Sequence, residues 1–224
     1  MKAGVRQVDS PPLWPYFEGM KQTSLLKRPL PYRYYNLTVV LIALNIGIYL
    51  ITMLFRSTLG YLALTPLYVF RYHAYWQIFT YMFVHGSPGH ILLNMIVLFI
   101  FGVPLERRLG SYEFLLYYLV AGIGAGLVSL TMNASVVGAS GAIFALLLAF
   151  ATLFPDSRIF VFGILPLRAP VAVLVFAGLE LFFQLSGTRG GIAHLTHLAG
   201  LLFGYLYFVA RLGINPLQVF LRRR

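Results

Sequence analysis

Three short clusters hold the side chains of this sequence that could do chemistry. Ser140 sits in Gly138-Ala139-Ser140-Gly141, His194 and His197 precede Gly200 and Gly204, and His90 stands four residues before Asn94. A serine hydroxyl is a poor nucleophile until a base takes its proton, and histidine suits that task near neutral pH. Ser140 as nucleophile and His197 as general base supply such a pair, which points to acyl transfer. If Ser140 opens a helix, the unpaired backbone N–H groups and positive dipole end there can stabilise an oxyanion. His90 and Asn94 can donate the remaining hydrogen bonds. Gly138 and Gly141 suit a chain that enters a helix with close packing and unusual backbone angles.

Singly, each cluster is weak. Small residues at helix interfaces are ordinary membrane packing, and a lone histidine is more often an interior hydrogen-bonding group or a cofactor ligand. Other chemistries fare worse. With no cysteine, thiol nucleophiles, disulfides and Cys-ligated metals drop out. No His-Glu-x-x-His occurs, and the only aspartates, Asp9 and Asp156, lie outside the apolar runs, which removes zinc-hydrolase and paired-aspartate mechanisms. No metal and no cofactor is expected.

The elements that must position these residues are membrane spans. The chain of 224 residues is 59% hydrophobic and 10% charged, with a mean hydropathy of +0.81. Apolar runs of spanning length cover Leu37–Phe55, His90–Leu105, Phe114–Met132, Ser140–Phe154, Ala169–Leu185 and Ile192–Ala210. They are too long and continuous for alternating barrel strands, so six helical spans are expected. The net charge of +11 is explained by topology and not by nucleic acid. Lys2, Arg6, Lys21, Lys27, Arg28, Arg33, Arg107, Arg108, Arg158, Arg168, Arg211 and Arg222 to Arg224 fall on one side, against Arg56, Arg71 and Arg189 on the other. The positive-inside rule then makes both termini cytoplasmic and the loops after spans one, three and five outward.

That topology brings the polar clusters together. Spans two, four and six all run from outside to inside, so each cluster sits at the outward end of its helix. Counting back at about 1.5 Å per residue in a core of roughly 30 Å puts Ser140 and His197 both about 8 Å below the outer boundary. His90 and Asn94 come out at about 6 and 12 Å.

In this setting the fragments resemble the rhomboid family of intramembrane serine proteases. Its G-x-S-G motif reads here Gly138 to Gly141, its A-H-x-x-H-x-x-G-x-x-x-G pattern reads Ala193 to Gly204, and its H-x-x-x-N motif reads His90 to Asn94. The likeness extends to Glu106-Arg107-Arg108-Leu109-Gly110-Ser111 and to Trp76, and covers roughly Leu37 to Arg211. One departure is Gln77, where many members carry arginine after that tryptophan. The resemblance implies an all-α polytopic bundle with a short central fourth helix, and a Ser140–His197 dyad acting without an acid. It also implies oxyanion support from His90, Asn94 and the Ser140 backbone, Phe144 stacked on the base, and a gate near span five. Substrates would be membrane proteins with a transmembrane segment, met in the lipid bilayer. A prokaryotic plasma membrane is the expected location. Two other readings stand beside it: a non-proteolytic rhomboid-like binding or quality-control factor, although such relatives usually lack a dyad residue, and a haem or metal protein using His90, His194 and His197.

The remaining features are assigned as follows. Gly200 and Gly204 pack span six against span four. Glu180, the only carboxyl within a span, is expected to be hydrogen-bonded or protonated and to face protein, with no part in a triad. His194 and Thr196 are interior hydrogen-bonding groups. Glu106 makes a local ion pair with its neighbouring arginines. The aromatic segment from Arg56 to Gly89 lies in the headgroup region, and Ile159–Leu167, fenced by prolines, is an interfacial piece. Residues 1–35 form a cytoplasmic extension, partly disordered or on the membrane surface, with a mitochondrial transit peptide as the alternative. The protease core runs over 36–211, and 212–224 is a basic cytoplasmic tail.

Overall fold

The computed structural model describes residues 30–161, 164–187 and 191–221. Most of the extension expected over 1–35, Arg189, and the arginines that end the 212–224 tail lie outside the described residues. Helix α1 (Leu37–Leu54) is followed by short helices α2 (Arg56–Leu62), α3 (Pro66–Tyr72) and α4 (Gln77–Thr80) and a 3-10 turn at Tyr81–Phe83. Then come α5 (Pro88–Leu109), α6 (Ser111–Ser129), α7 (Ser140–Leu153), strands β1 (Arg158–Val161) and β2 (Leu165–Arg168), and α8 (Ala169–Leu185). Helix α9 (Gly191–Tyr207) runs on as a π-helical turn over Phe208–Leu212, and α10 (Pro216–Leu221) closes the described chain.

The protein is a polytopic all-α membrane protein. Leu37–Leu54, Pro88–Leu109, Ser111–Ser129 and Ala193–Leu212 are long and apolar enough to cross a membrane, while α7 and α8 are shorter apolar helices. The polarity of the bundle is inverted relative to a soluble protein. Leu92, Leu93 and Phe99 of α5 and Leu174 and Phe182 of α8 are exposed, whereas Thr38, Asn45, Ser129 and Thr196 are buried. Apolar side chains outside need no partner in lipid, but polar ones must find theirs within the protein.

Helix α7 is the hub. Its 14 residues rise about 21 Å, well short of a hydrocarbon core of about 30 Å. It packs against α5, α6, α8 and α9, and Ala142, Ala145, Ala149 and Ala151 bury their small side chains in those contacts. The last non-helical residues leading into it, Gly138 and Ala139, are buried in protein, the circumstance in which irregular chain is tolerated at membrane depth.

The helix ends explain much of the assembly. Helix α5 starts two residues earlier than its apolar run because Pro88 fits the first turn and Ser87 accepts a bond from the His90 N–H at 3.2 Å. Glu106, at its other end, was expected in a local ion pair and instead binds the start of a distant helix. Its carboxylate accepts from Leu37 N at 2.7 Å, Thr38 N at 2.8 Å, Thr38 Oγ1 at 2.8 Å and Ser111 Oγ at 2.5 Å. It thus caps α1 from a distant helix, satisfying orphan N–H groups and complementing the dipole. Glu113, at the start of α6, binds the far end of α9 through Arg211 Nε at 2.5 Å, Arg211 Nη2 at 2.9 Å, and the Tyr207 hydroxyl.

One loop expectation is corrected and another gains a structure. The stretch from Arg56 to Gly89 is not confined to an interface: Tyr81, Met82, Phe83 and Val84 are buried, and Tyr81 donates to the Gly122 carbonyl at 2.6 Å. Gly122 and Gly126 of α6 leave the space that Met82 and Tyr81 fill, so small residues on a neighbouring helix draw the segment inward. Gln77 is buried and ties the segment together. It accepts from Thr65 N at 3.0 Å and donates to Tyr61 O at 3.1 Å, while Trp76 Nε1 donates to the same carbonyl at 2.9 Å. The Ile159–Leu167 piece forms an antiparallel hairpin with Arg158 opposite Arg168 and Ile159 opposite Leu167. Pro166 fits because each strand of a two-stranded ribbon has an open edge.

Candidate active site

Ser140 is the first residue of α7, and the turn that delivers it depends on Gly138, whose φ is +120°. A β-carbon there would also meet His90 Nε2 at 2.7 Å, so glycine is required twice over, by backbone angle and by space. The Gly138 N–H is held by the Tyr81 carbonyl at 2.9 Å, which links the buried loop segment to the turn. From this position Ser140 Oγ lies 2.8 Å from His197 Nε2.

His197 reaches the serine because α7 and α9 touch backbone to backbone. A β-carbon on Gly200 would lie 2.0 Å from the Gly141 carbonyl oxygen, and one on Gly141 would lie 2.8 Å from Ala125 Cβ. One turn further on, Gly204 leaves room for the Tyr117 hydroxyl and Ala145. Ser129 Oγ and Thr196 Oγ1, 2.7 Å apart, join α6 to α9 at the same level. The imidazole of His197 is stacked on Phe144, with centroids 4.3 Å apart and planes 10° apart. Phe144 follows Ser140 by one turn, so nucleophile and stacking platform come from the same face of α7.

His90 and Asn94 line the same cavity as Ser140 and His197, a space of about 530 Å³ bounded also by Phe144 and Phe176. His90 stands beside the Gly138 turn, and Asn94 donates from Nδ2 to the His90 carbonyl at 2.7 Å. The first N–H groups of α7 have no intrahelical carbonyl to bind. A carbonyl carbon next to Ser140 Oγ would therefore find its oxygen near backbone donors and two polar side chains. The arrangement is suited to nucleophilic attack with an adjacent proton acceptor and a stabilised oxyanion.

The second ring nitrogen of His197 is also engaged. Nδ1 lies 3.0 Å from Oε1 of Glu180 on α8, and Oε2 of the same carboxylate lies 2.5 Å from Nδ1 of His194. His194 and His197 share one face of α9, being three residues apart, and the His194 ring is stacked against Phe183 of α8. The expectation that Glu180 faces protein and is hydrogen-bonded describes its position. Its contact with His197 was not foreseen, nor was the partner of His194. A signal was present: Glu180 is five residues from Leu185, about 8 Å from the C-terminal end of α8 at 1.5 Å per residue, an offset close to that counted for Ser140 and His197. The ligating atoms of Glu180, His194 and His197 lie within 4.8 Å of one another. This set excludes His90, which the haem-or-metal reading had grouped with the two histidines.

The chain matches the Rhomboid domain family model over residues 72–213. It is 34% identical over 176 residues to "Rhomboid-like protein 11, chloroplastic" of Arabidopsis thaliana, a match covering 73% of this chain and 61% of that protein. It is 35% identical over 114 residues to "Rhomboid protease GlpG" of Haemophilus influenzae, covering 50% of this chain and 59% of that protein. With "Rhomboid protease AarA" of Providencia stuartii the identity is 32% over 101 residues, or 42% and 36% of the two chains. The matched stretches thus span about 60% or less of these relatives' own lengths. Since the family match runs from the end of α3 to the π-helical turn after α9 and takes in every helix that lines the cavity, the chain belongs to the rhomboid family.

Proposed function

We propose that this chain is an intramembrane serine endopeptidase, with Ser140 as nucleophile and His197 as general base. The observation that carries the reading is the 2.8 Å contact between Ser140 Oγ and His197 Nε2, made at the head of a short helix inside a membrane bundle. Bilayers make polar side chains expensive, so such a pair marks function. In the first half of the reaction Oγ attacks the scissile carbonyl while Nε2 takes its proton. The carbonyl oxygen becomes an oxyanion bound by the Ser140 backbone N–H and by His90 and Asn94. As it collapses, the C–N bond breaks and His197 returns the proton to the leaving amine. Water then attacks the acyl-serine with His197 again as base, releasing the carboxylic acid and restoring Ser140.

The substrate class follows from the setting. A peptide bond must reach Ser140 below the outer membrane boundary, so the partners are membrane proteins whose transmembrane segment unwinds locally beside the cavity. The charge asymmetry of the flanks orients the cavity outward with cytoplasmic termini, in a plasma membrane. Purified protein reconstituted in liposomes with a fluorogenic transmembrane peptide tests the reading. Ser140→Ala and His197→Ala should each abolish cleavage while a fluorophosphonate labels the parent at Ser140 and not the Ser140→Ala form. Cleavage by either variant at the parental rate would sink the dyad.

A further inference from the structure

Resemblance to the family implies a dyad that works without an acid, yet the structure gives the base a carboxylate partner. Glu180 Oε1 is 3.0 Å from His197 Nδ1, Oε2 is 2.5 Å from His194 Nδ1, and the Glu180 side chain is 15% exposed. We propose that Glu180 is a positioning residue for the proposed proteolysis: it holds His197 as the Nδ1–H tautomer, aimed at Ser140, with His194 fixing the carboxylate from the other side.

The argument is one of proton bookkeeping. An ionised carboxylate only accepts hydrogen bonds, so each oxygen requires a proton on the nitrogen it faces. His197 then carries its proton on Nδ1, leaving the lone pair of Nε2 free to accept from Ser140 Oγ. The opposite arrangement, with Glu180 protonated and donating to His197 Nδ1, moves the imidazole proton to Nε2. The ring would then donate to Ser140 and could not take its proton. Two Nδ1–H donors on one carboxylate also explain how a charge is kept inside a span: both oxygens are paired, and a charge-assisted bond is stronger than a neutral one. When His197 takes the serine proton, the resulting imidazolium stands directly against the carboxylate.

The geometry divides the restraints on His197 between three helices. Phe144 of α7 fixes the plane of the ring. Glu180 of α8 fixes its rotation within that plane, and the Gly200–Gly141 contact fixes the height of α9. Glu180 itself is braced twice, by His194 and through the stacking of His194 on Phe183. A divalent metal held by the three ligating atoms is the competing account. It would displace both Nδ1 protons and occupy the space the hydrogen bonds now close.

The test rests on the protease reading and is arranged to separate the two. Glu180→Gln keeps the shape but can donate to Nδ1 and so favours the wrong tautomer. In liposomes it should lower kcat by at least about 10²-fold, toward the roughly 10⁴-fold seen when a triad aspartate is replaced by its amide, with KM changed less than about threefold. Fluorophosphonate labelling of Ser140 should slow in parallel. Glu180→Asp, which restores the charge, should recover at least about tenfold of that loss. A Glu180→Gln protein with kcat within about threefold of the parent overturns the proposal while leaving the Ser140–His197 reading intact; cleavage by Ser140→Ala overturns the latter. A further measurement needs no variant at position 180: ¹⁵N NMR of histidine-labelled parent, with His197→Gln for assignment, should show the Nδ1–H tautomer. An Nε2–H tautomer refutes the assignment even if Glu180→Gln fails to fold. Prolonged dialysis against a chelator should leave activity unchanged, and loss of activity reversed by zinc would replace the positioning role with a metal site.

Discussion

The contact between Gly200 and Gly141 offers the sharpest quantitative test of how the bundle makes the site. An added β-carbon at Gly200 would stand 2.0 Å from the Gly141 carbonyl oxygen, 2.7 Å from its carbon and 3.0 Å from its Cα, all backbone atoms that no rotamer change can move aside. Restoring an ordinary 3.4 Å contact with the oxygen requires α9 to retreat from α7 by about 1.4 Å. His197 is one turn from Gly200 and moves with it. The 2.8 Å bond to Ser140 would stretch toward about 4 Å, beyond hydrogen-bonding range. Misplacement of a catalytic group by about 1 Å costs on the order of 10²-fold in rate, and overpacking against backbone costs about 3 kcal/mol of stability. Gly200→Ala should therefore lose at least about 10²-fold in kcat and in fluorophosphonate labelling, with a lower unfolding temperature in detergent. Gly47→Ala is the matched control. It lies within α1 with nothing inside 4 Å of the added carbon, so it should gain up to about 1 kcal/mol from helix propensity and keep full activity. A Gly200→Ala protein with parental kcat would refute the claim that this approach sets the distance between base and nucleophile.

Further outcomes follow from groups far from Ser140 or outside the spans. Glu106→Ala strips the cap from α1 and leaves the N–H groups of Leu37 and Thr38 without their acceptor, a loss of about 3 kcal/mol or more. Labelling of Ser140 per folded molecule should be unchanged, because Glu106 lies 16 residues, or about 24 Å, along α5 from His90. A denaturation midpoint shifted by less than about 1 kcal/mol would show that the cap is dispensable. His85, in the turn before α5, is buried, and that burial, aided by His90 close by, holds its imidazole down at about 4. The unfolded chain takes up a proton near 6.5 and the folded one resists until about 4, so stability is full above 6.5 and falls as pH drops through that window, by up to about 3 kcal/mol. His85→Gln should flatten the pH dependence of the unfolding temperature there, and an unchanged slope would count against the assignment.

The grouping of the polar clusters could be read from the sequence because it follows from counting along the helices. Span five was expected over the residues that form α8, and Ser140, His197, His90 and Asn94, placed within a few ångströms of one depth by residue number, do line one cavity. Rotation about a helix axis could not be read. In α8 the lipid-facing Leu174, Leu179 and Phe182 are at least as apolar as the buried Ala172 and Val173, so hydropathy does not mark the inward face. The direction in which Glu180 points is set by packing against α9 instead. For the same reason Glu106 looked like part of a local charge cluster, although three of its four bonds come from residues 68 and 69 positions away. The hairpin after α7 was hidden by its prolines, which argue against helix without announcing a strand.

The resemblance implies a dyad without an acid, whereas five residues counted back from Leu185 put Glu180 near the level of the proposed base. A family pattern records which residues a reaction needs, and an acid it can do without leaves no mark in the pattern. A bilayer is less permissive. An ionisable group in a span must either find a partner or stay neutral, so the carboxyl of Glu180, like those of Glu106 and Glu113 at the ends of their helices, is constrained to approach whatever donors share its depth. At about 8 Å from the C-terminal end of α8, the donors within reach are His194 and His197. One of these is the proposed base. A carboxylate that satisfies itself there must also orient the imidazole, because the bond that neutralises its cost is the bond that fixes the tautomer.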